Sequence, residues 1–401
     1  MLVNEQETIY DLTYYKNAAK KVASILDKHA VTVDKEACFP EESLMALKES
    51  GLMGMLVPKE YSGNGASITS LSTVAQILAG SCLSTSMIWA MHCQQVATII
   101  NHADEMLKQQ VLPNIAQGDF VASVTSEYNK GGHLLTANSA LEKIDDLFQL
   151  DRQAPIVTGG AYGDYYLVTM RADEESHKSE VKLVLVKRDE AEIDIDKIKW
   201  DSLGMRGTQS VSLKLSSCIK EVQIINKIEK FQTIAQKTMI PIGHIAWVSC
   251  WLGATKSVFS KVLKAIRHPK TRPNTLDLKS ELFLEKLARI RIKIDTVDTY
   301  LNQILYDYNQ YLNNFSIEIS NQDNRNFNIK INTLKIIGSE YLYEAVNELI
   351  DLIGLSIGYL RNDFAPLERT LRDLRSASLM YNNYRLLTAN GKLALLDTNL
   401  L

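Results

Sequence analysis

The hydroxyl and glycine residues able to hold an anionic or hydrogen-bonding ligand gather in one stretch of this 401-residue chain. In order they are Thr125-Ser126-Glu127, Gly131-Gly132, Ala154-Pro155-Ile156-Val157-Thr158-Gly159 and Trp200-Asp201-Ser202-Leu203-Gly204-Met205-Arg206-Gly207-Thr208. Glycine amides can approach phosphate closely. A second stretch, residues 231–276, contains no Asp or Glu but carries Lys237, Lys256, Lys261, Lys264, Arg267, Lys270 and Arg272. Such a run raises the local potential for anions, unless it is simply a solvated basic face. A third stretch, residues 374–396, is likewise free of carboxylates.

The elements that must position these residues follow from periodicity. Residues 121–228 read as a β-rich island between two helical regions, with Val181–Lys187 a mostly apolar strand and Val211–Leu215 a cleanly alternating one. Before it, Asp11–His29 repeats at helical spacing. Pro40-Glu41-Glu42 opens another helix that Gly51 can close. A glycine-punctuated loop, Gly54–Gly65, precedes a helical stretch from Ser70 to Leu112, in which Ala79, Gly80, Ser81 and Ser84 allow close helix approach. After the island, Phe283, Leu287, Ile290, Ile294, Val297, Leu301, Ile304 and Tyr308 make an apolar seam at alternating spacings of 4 and 3, which predicts a long bundle helix. An Asn-rich patch from Asn313 to Asn326 interrupts it before a further amphipathic run, Phe327–Ile353. The fold class is therefore α+β and multidomain: a helical domain over 1–120, a β-domain over 121–228 and a C-terminal four-helix-type bundle over 229–401.

Lys+Arg 44 against Asp+Glu 47 gives no global field for nucleic acid or membrane, so an ionic partner must be recognised locally. Cys38, Cys82, Cys93, Cys218 and Cys250 are odd in number and scattered, with no C-x-x-C pair, which indicates neither a disulfide framework nor a zinc site. The first residues are polar and acidic, unlike a secretory signal, and a cytoplasmic location is expected. Met239–Ala254, the longest apolar run, contains His244 and falls short of the roughly 18 to 20 residues of a membrane span. It reads as a buried helix.

The order of these segments resembles the acyl-CoA dehydrogenase superfamily, whose flavin lies between a small β-domain and a helical bundle. Gly54–Gly65 resembles its "GL…vP.eyGG.G" loop, and Pro366-Leu367-Glu368-Arg369-Thr370-Leu371-Arg372-Asp373 its "PLER..RD" segment. The resemblance implies FAD as cofactor. Ser126 to His133 match the family's T-E-P-G-A-G-S-D flavin-binding segment, with Gly131 and Gly132 near the pyrophosphate and Gly132 in place of its serine. Ile156-Val157-Thr158-Gly159 matches "W-I-T-N-G", whose threonine approaches flavin N5. Arg267 or Arg272 is then a candidate for the pyrophosphate across a subunit boundary, and the basic window could alternatively dock an acidic carrier protein.

The family's catalytic glutamate removes a substrate α-proton while a hydride passes to the flavin. Its commoner position falls on Tyr381, beside Asn382 and Asn383, and its other position lies in the carboxylate-free window at 231–276. Three readings follow. The enzyme could oxidise a hydroxy-, amino- or aldehyde-bearing acyl group on CoA or an acyl carrier protein, in specialised biosynthesis, with Tyr381 or His244 as a weaker base. It could be a flavin monooxygenase of the same fold, supplied with reduced flavin by a separate reductase. It could be a non-catalytic partner-binding subunit. The first is preferred, with assembly into a homodimer or homotetramer through the bundle and an electron acceptor that the sequence does not identify.

Overall fold

The computed structural model describes residues 9–129, 133–196, 200–273, 276–313, 321–362 and 365–396. The N-terminal helices are α1 (Ile9–Glu36), α2 (Glu41–Glu49), α3 (Ile68–Ala79), α4 (Leu83–His102) and α5 (Glu105–Ala116). Gly51, just past the end of α2, has φ +72°, a conformation in which a side chain is strained. Side-chain caps start two of the helices: Ser67 Oγ accepts from the Ser70 N–H at 3.0 Å, and Asp104 from Leu107 at 2.9 Å. The helical stretch expected from Ser70 to Leu112 is thus three helices, broken at Gly80–Cys82 and at Ala103-Asp104.

Helix α4 is buried on nearly every side, so its polar side chains need internal partners. Trp89 Nε1 donates to the Leu52 carbonyl at 2.9 Å. The Val121 N–H donates to His92 Nδ1 at 3.0 Å, which leaves Nε2 to carry the proton given to the Met53 carbonyl at 2.9 Å. Burial pushes the His92 imidazole down to about 4, so it stays neutral while tying the glycine loop to the first strand.

The β-domain holds β1 (Val121–Val124), β2 (Leu141–Ile144), β3 (Leu147–Val157), β4 (Tyr165–Arg171), β5 (Val181–Lys187), β6 (Ala191–Ile195) and β7 (Val211–Lys220). One sheet runs β1-β4-β5, with β1 parallel to β4 and β4 antiparallel to β5; the other is antiparallel, β2-β3-β7-β6. As the sequence predicts, β5 is almost wholly buried whereas β7 alternates between core and exterior. The β3–β7 register shifts between Ala154 and Val157, where Pro155 offers no N–H to the ladder. Within this irregularity Ile156 is 53% exposed, on a strand whose inward face, Leu150, Arg152, Ala154 and Val157, is buried.

The C-terminal part comprises α6 (Phe231–Ile234), a π-helical turn (Ala235–Met239), α7 (Ile240–Arg267), α8 (Glu281–Asn313), α9 (Asn321–Ile353), α10 (Leu367–Leu374) and α11 (Asn383–Ala394). The seam residues of α8 are buried, with Leu287 only partly so. The apolar run Met239–Ala254 lies at the start of α7, inside the protein. Among the described residues no helix is long and apolar enough to cross a membrane. At Gly253 of α7 an added Cβ would lie 2.2 Å from the Gln76 carbonyl oxygen, so glycine sets the α3–α7 approach. The Asn-rich interruption is narrower than expected, since α9 begins at Asn321; residues 314–320 lie outside the described residues.

Candidate active site

A cavity of about 690 Å³ opens where α4, β1, the end of β3, the segment Trp200–Ser210, α7 and the loop between α10 and α11 meet. Its β-domain wall carries Ser123, Thr125, Ser126, Ile156, Thr158, Thr208 and Ser210. Thr208 donates its hydroxyl proton to the Met205 carbonyl at 2.8 Å and lies 2.9 Å from Ser210 Oγ, which is 3.1 Å from Thr158 Oγ1. Each hydroxyl has one proton, so the chain runs Thr158 to Ser210 to Thr208 to Met205 and leaves lone pairs on Thr158 as its open end. Ser126 Oγ donates to the Ile156 carbonyl at 2.7 Å and accepts its N–H at 3.3 Å, pinning β1's exit to the irregular part of β3.

Glu127, next in sequence, is turned away from the cavity into the β-domain. It accepts from the Asn138 and Ser139 N–H groups at 2.8 and 2.7 Å and pairs with Arg152 at 2.8 Å. Burial opposes its charge, but the Asn138 N–H, Arg152 and Ser139 together hold the carboxyl below its usual range.

The facing wall comes from the bundle: Met239 and Trp247 of the α6–α7 helix, then Arg372, Arg375, Ser376, Leu379, Met380, Tyr381, Asn382 and Arg385. Helix α4 closes the end with Met87, Met91, Gln94 and Gln95. Among the described residues, no Asp or Glu lines this cavity, while three arginines do.

The Trp200–Ser210 segment is clamped in place by the Pro366–Asp373 motif. Arg372 forms a two-pronged pair with Asp34 of α1 at 2.6 and 3.0 Å, bonds Glu368 at 2.8 Å and reaches the Leu203 carbonyl at 3.1 Å. The buried Asp373 accepts the Met205 N–H at 2.5 Å, and burial raises its carboxyl to about 7. A Cβ on Gly204 would lie 2.0 Å from the Arg372 carbonyl oxygen, so only glycine fits between segment and clamp.

Tyr381 sits on the cavity wall with φ +50°, a left-handed conformation uncommon for its type. Its carbonyl accepts from Lys335 Nζ at 3.0 Å, and the same ammonium donates to Asn383 Oδ1 at 2.6 Å. Lys335 is fully buried, and its ammonium is pushed down to about 7 by that burial. Burial raises the Tyr381 phenol, with the nearby Arg385 guanidinium opposing.

The cavity therefore brings together Ser126, Thr158 and Tyr381 of the residues singled out in the sequence. Gly159 stands beside it with φ +60°, where a Cβ would lie 2.8 Å from the Phe120 ring; its N–H donates to the Thr208 carbonyl at 3.0 Å. His244 lies behind Tyr381, ring edge to ring face at 5.7 Å, with Nδ1 3.3 Å from the Ile331 carbonyl. Burial first, then Lys335, pushes its imidazole down to about 3. Arg267 is exposed at the end of α7 and does not line the cavity. Gly131 and Gly132 lie outside the described residues. The basic window is less bare than its sequence implies, because Lys256 pairs with Asp298 at 2.7 Å and Lys261 approaches Asp27 at 4.0 Å. Sequence reasoning missed Gln94, Gln95, Trp247 and Lys335. The last had a signal, a lysine set 4 after Ile331 and 3 before Gly338 on the packed face of α9.

The family model described as acyl-CoA dehydrogenase, N-terminal domain, matches residues 11–119. The probable acyl-CoA dehydrogenase FadE25 of Mycobacterium leprae is 29% identical over 191 residues, 47% of this chain and 49% of that protein. The chain thus matches about half the length of that relative. The short-chain specific acyl-CoA dehydrogenase of Clostridium acetobutylicum is 22% identical over 379 residues, 93% of each chain. Residues 11–119 thus carry the acyl-CoA dehydrogenase N-terminal domain, and the chain over nearly its whole length is similar to acyl-CoA dehydrogenases. Its fold is also that of FMN-bound TdsC, a dibenzothiophene monooxygenase from Paenibacillus sp. A11-2, at TM-score 0.83, 18% identity and coverage of 95% and 97%.

FAD is the cofactor of this family. The β-domain wall fits the ring system of a flavin: Ile156 offers an exposed apolar ledge, and Thr158 an open hydroxyl beside it. Ser126 has its hydroxyl committed to Ile156, so its contribution to a ring is through backbone or a remaining lone pair.

Proposed function

We propose that this chain is a flavin-dependent oxidoreductase acting on an acyl group held as a thioester on CoA or an acyl carrier protein. In this reading a group weaker than a carboxylate takes the substrate proton. The observation that carries it is the cavity lining, which presents Tyr381 and three arginines but no Asp or Glu. A carbon acid beside a thioester calls for a carboxylate base at hydrogen-bond distance, whereas a proton on oxygen or nitrogen can leave through a phenol. The flavin, when bound, supplies the two-electron acceptor. Tyr381 positions and receives the proton, Arg385 favours its ionised form, and the Trp200–Ser210 segment with Leu379 and Met380 excludes water from the reacting carbon.

Anaerobic mixing tests this directly: a hydroxyacyl or aminoacyl pantetheine thioester should bleach the flavin without oxygen. Bleaching that requires an added reductase, followed by incorporation of oxygen from O₂, moves the chain to the monooxygenase reading, which the carboxylate-free cavity equally allows. A colourless preparation that takes up no FAD leaves only a partner-binding role. Tyr381→Phe should lower turnover by about 10² to 10⁴-fold at unchanged flavin content, the usual scale of general-base catalysis. Because burial raises this phenol, wild-type turnover should climb with pH beyond the neutral range. Unchanged turnover in the variant dismisses Tyr381.

Docking of an acidic carrier would use the exposed Lys264, Arg267, Lys270 and Arg272 near the end of α7. Assembly through the bundle would cover Leu284, Ile292 and Tyr306 of α8, which are 50%, 63% and 61% exposed.

A further inference from the structure

Lys335 projects from α9 into the bundle with none of its surface exposed, and both of its hydrogen bonds go to the turn that presents Tyr381 to the cavity. They run to the Tyr381 carbonyl at 3.0 Å and to Asn383 Oδ1 at 2.6 Å. No carboxylate is bonded to it among the described residues. Glu340, whose charge favours the ammonium, bonds Asn383 Nδ2 instead at 2.9 Å. A buried amine without a bonded carboxylate is a costly way to fill space that a methionine of similar length would fill without desolvation. Its use lies in its two acceptors.

Both acceptors belong to a strained turn. Tyr381 has φ +50°, and α11 begins two residues later at Asn383. The Asn383 amide donates to Ser339 Oγ and Glu340 Oε1, both at 2.9 Å, which turns its Oδ1 toward the amine. One other left-handed residue with a side chain lines the cavity, Met205 with φ +54°. It is held in the same manner, with its backbone N–H bonded at 2.5 Å to the buried Asp373. Each strained position on the cavity wall is thus tied through its backbone to a buried ionisable side chain.

We infer that Lys335 is a positioning residue for Tyr381: by holding the Tyr381 carbonyl and the Asn383 amide together, it fixes the left-handed turn that keeps the phenol at the cavity wall. The inference rests on the proton-accepting role proposed above for Tyr381 and adds what sets it in place. A neutral amine still offers two N–H donors, one for each acceptor, so the hold outlasts loss of the ammonium proton. The ionisable groups around this turn are His244 from α7, Lys335 and Glu340 from α9, and Arg385 from α11. Deleting a cation from this set would by itself move ionisation of the phenol to higher pH, whereas release of the phenol into water moves it lower. The direction of change therefore separates lost charge from lost position.

The test places 3-fluorotyrosine at position 381 and follows its ionisation by fluorine NMR, with and without Lys335→Met. The midpoint should fall by about one pH unit in the variant, toward that of an exposed phenol. With a hydroxyacyl pantetheine thioester, kcat should drop about 10²-fold at unchanged flavin content. KM should stay within about twofold. In a Tyr381→Phe background the same substitution should change kcat by less than about twofold, since the group it positions is already gone. Lys335→Gln keeps an N–H donor on a shorter arm, should give intermediate values, and serves if the methionine variant does not fold. An unchanged or raised midpoint, or equal losses of kcat in the two backgrounds, overturns the inference, and wild-type turnover then leaves thioester oxidation standing. A lowered midpoint in a protein that turns over no thioester does the reverse: Lys335 still places Tyr381, and the thioester reading falls. Loss of the fold in both Lys335 variants assigns the lysine to the core and likewise overturns the inference.

Discussion

The two long walls of the cavity differ in what they present. On the β-domain side, Ser126 and Thr158 line the cavity, with a hydroxyl chain running from Thr158 to Met205 and the buried Glu127–Arg152 pair behind them. On the bundle side, Arg372 and Asp373 grip the Trp200–Ser210 segment, and the loop between α10 and α11 presents Tyr381 to the cavity with no Asp or Glu beside it among the described residues. In the proposed reading the hydroxyl-bearing wall faces the cofactor and the arginine-bearing wall, with no Asp or Glu among the described residues, faces the substrate. A flavin enzyme can alter its reaction at the substrate wall alone, because the cofactor's electronic role is separate from the base beside it.

The clamp shared by both walls should give the largest effect. Arg372→Ala leaves Asp34 without its mostly buried partner and Glu368 with Arg361 only, and loss of one member of such a cluster costs up to roughly 3–5 kcal/mol. Denaturant unfolding should show that loss together with reduced flavin retention, since the Leu203 end of the Trp200–Ser210 segment then loses its hold on α10 except through Asp373. Lost stability with full flavin retention would detach the clamp from the cofactor wall and break the comparison.

The frame of the molecule was legible because packing against a single partner surface imprints a period. The α8 seam from Phe283 to Tyr308 and the alternation in β7 are both of this kind. The absence of carboxylates from two windows was equally readable, since it needs no geometry. What could not be read was the α4 wall. Because α4 is buried nearly all round, Gln94 and Gln95 carry no periodic mark separating a cavity face from a core face. The neutralisation of Lys256 by Asp298 was hidden for a related reason: the partner lies on another helix, 42 residues away in sequence.

The Tyr381 loop offers a second contrast, between the buried groups at its two ends. Asp373 is raised to about 7 and Lys335 lowered to about 7, so each resists its charged form. For Lys335 the folded value lies below the ordinary lysine range. Between about pH 7 and 10 the unfolded chain holds a proton that the folded chain has released, and stability rises with pH across that window. Across three pH units the contribution is on the order of 4 kcal/mol. Lys335→Met should remove this rise in a pH series of thermal unfolding, and it should also free the Tyr381 carbonyl. Parallel curves for variant and wild type over that window would show that Lys335 stays charged inside the protein.

The smallest effect belongs to the β-domain wall itself. Thr158→Val keeps the shape of the side chain and removes the hydroxyl that ends the Thr158–Ser210–Thr208 chain. Ser210 still has Thr208 as a partner, so no buried group is orphaned and the fold should be nearly unaffected. A flavin ring held at that wall loses one neutral hydrogen bond, worth about 1 kcal/mol, or roughly fivefold in affinity. The flavin absorption band should shift as well, because its immediate polar neighbour changes. If affinity and spectrum both stay at wild-type values while Arg372→Ala still releases the cofactor, the flavin is held by the clamp and the ledge at Ile156, and the hydroxyl chain serves only to brace the β-domain. That outcome would place the β-domain side of the cavity with the fold rather than with the chemistry.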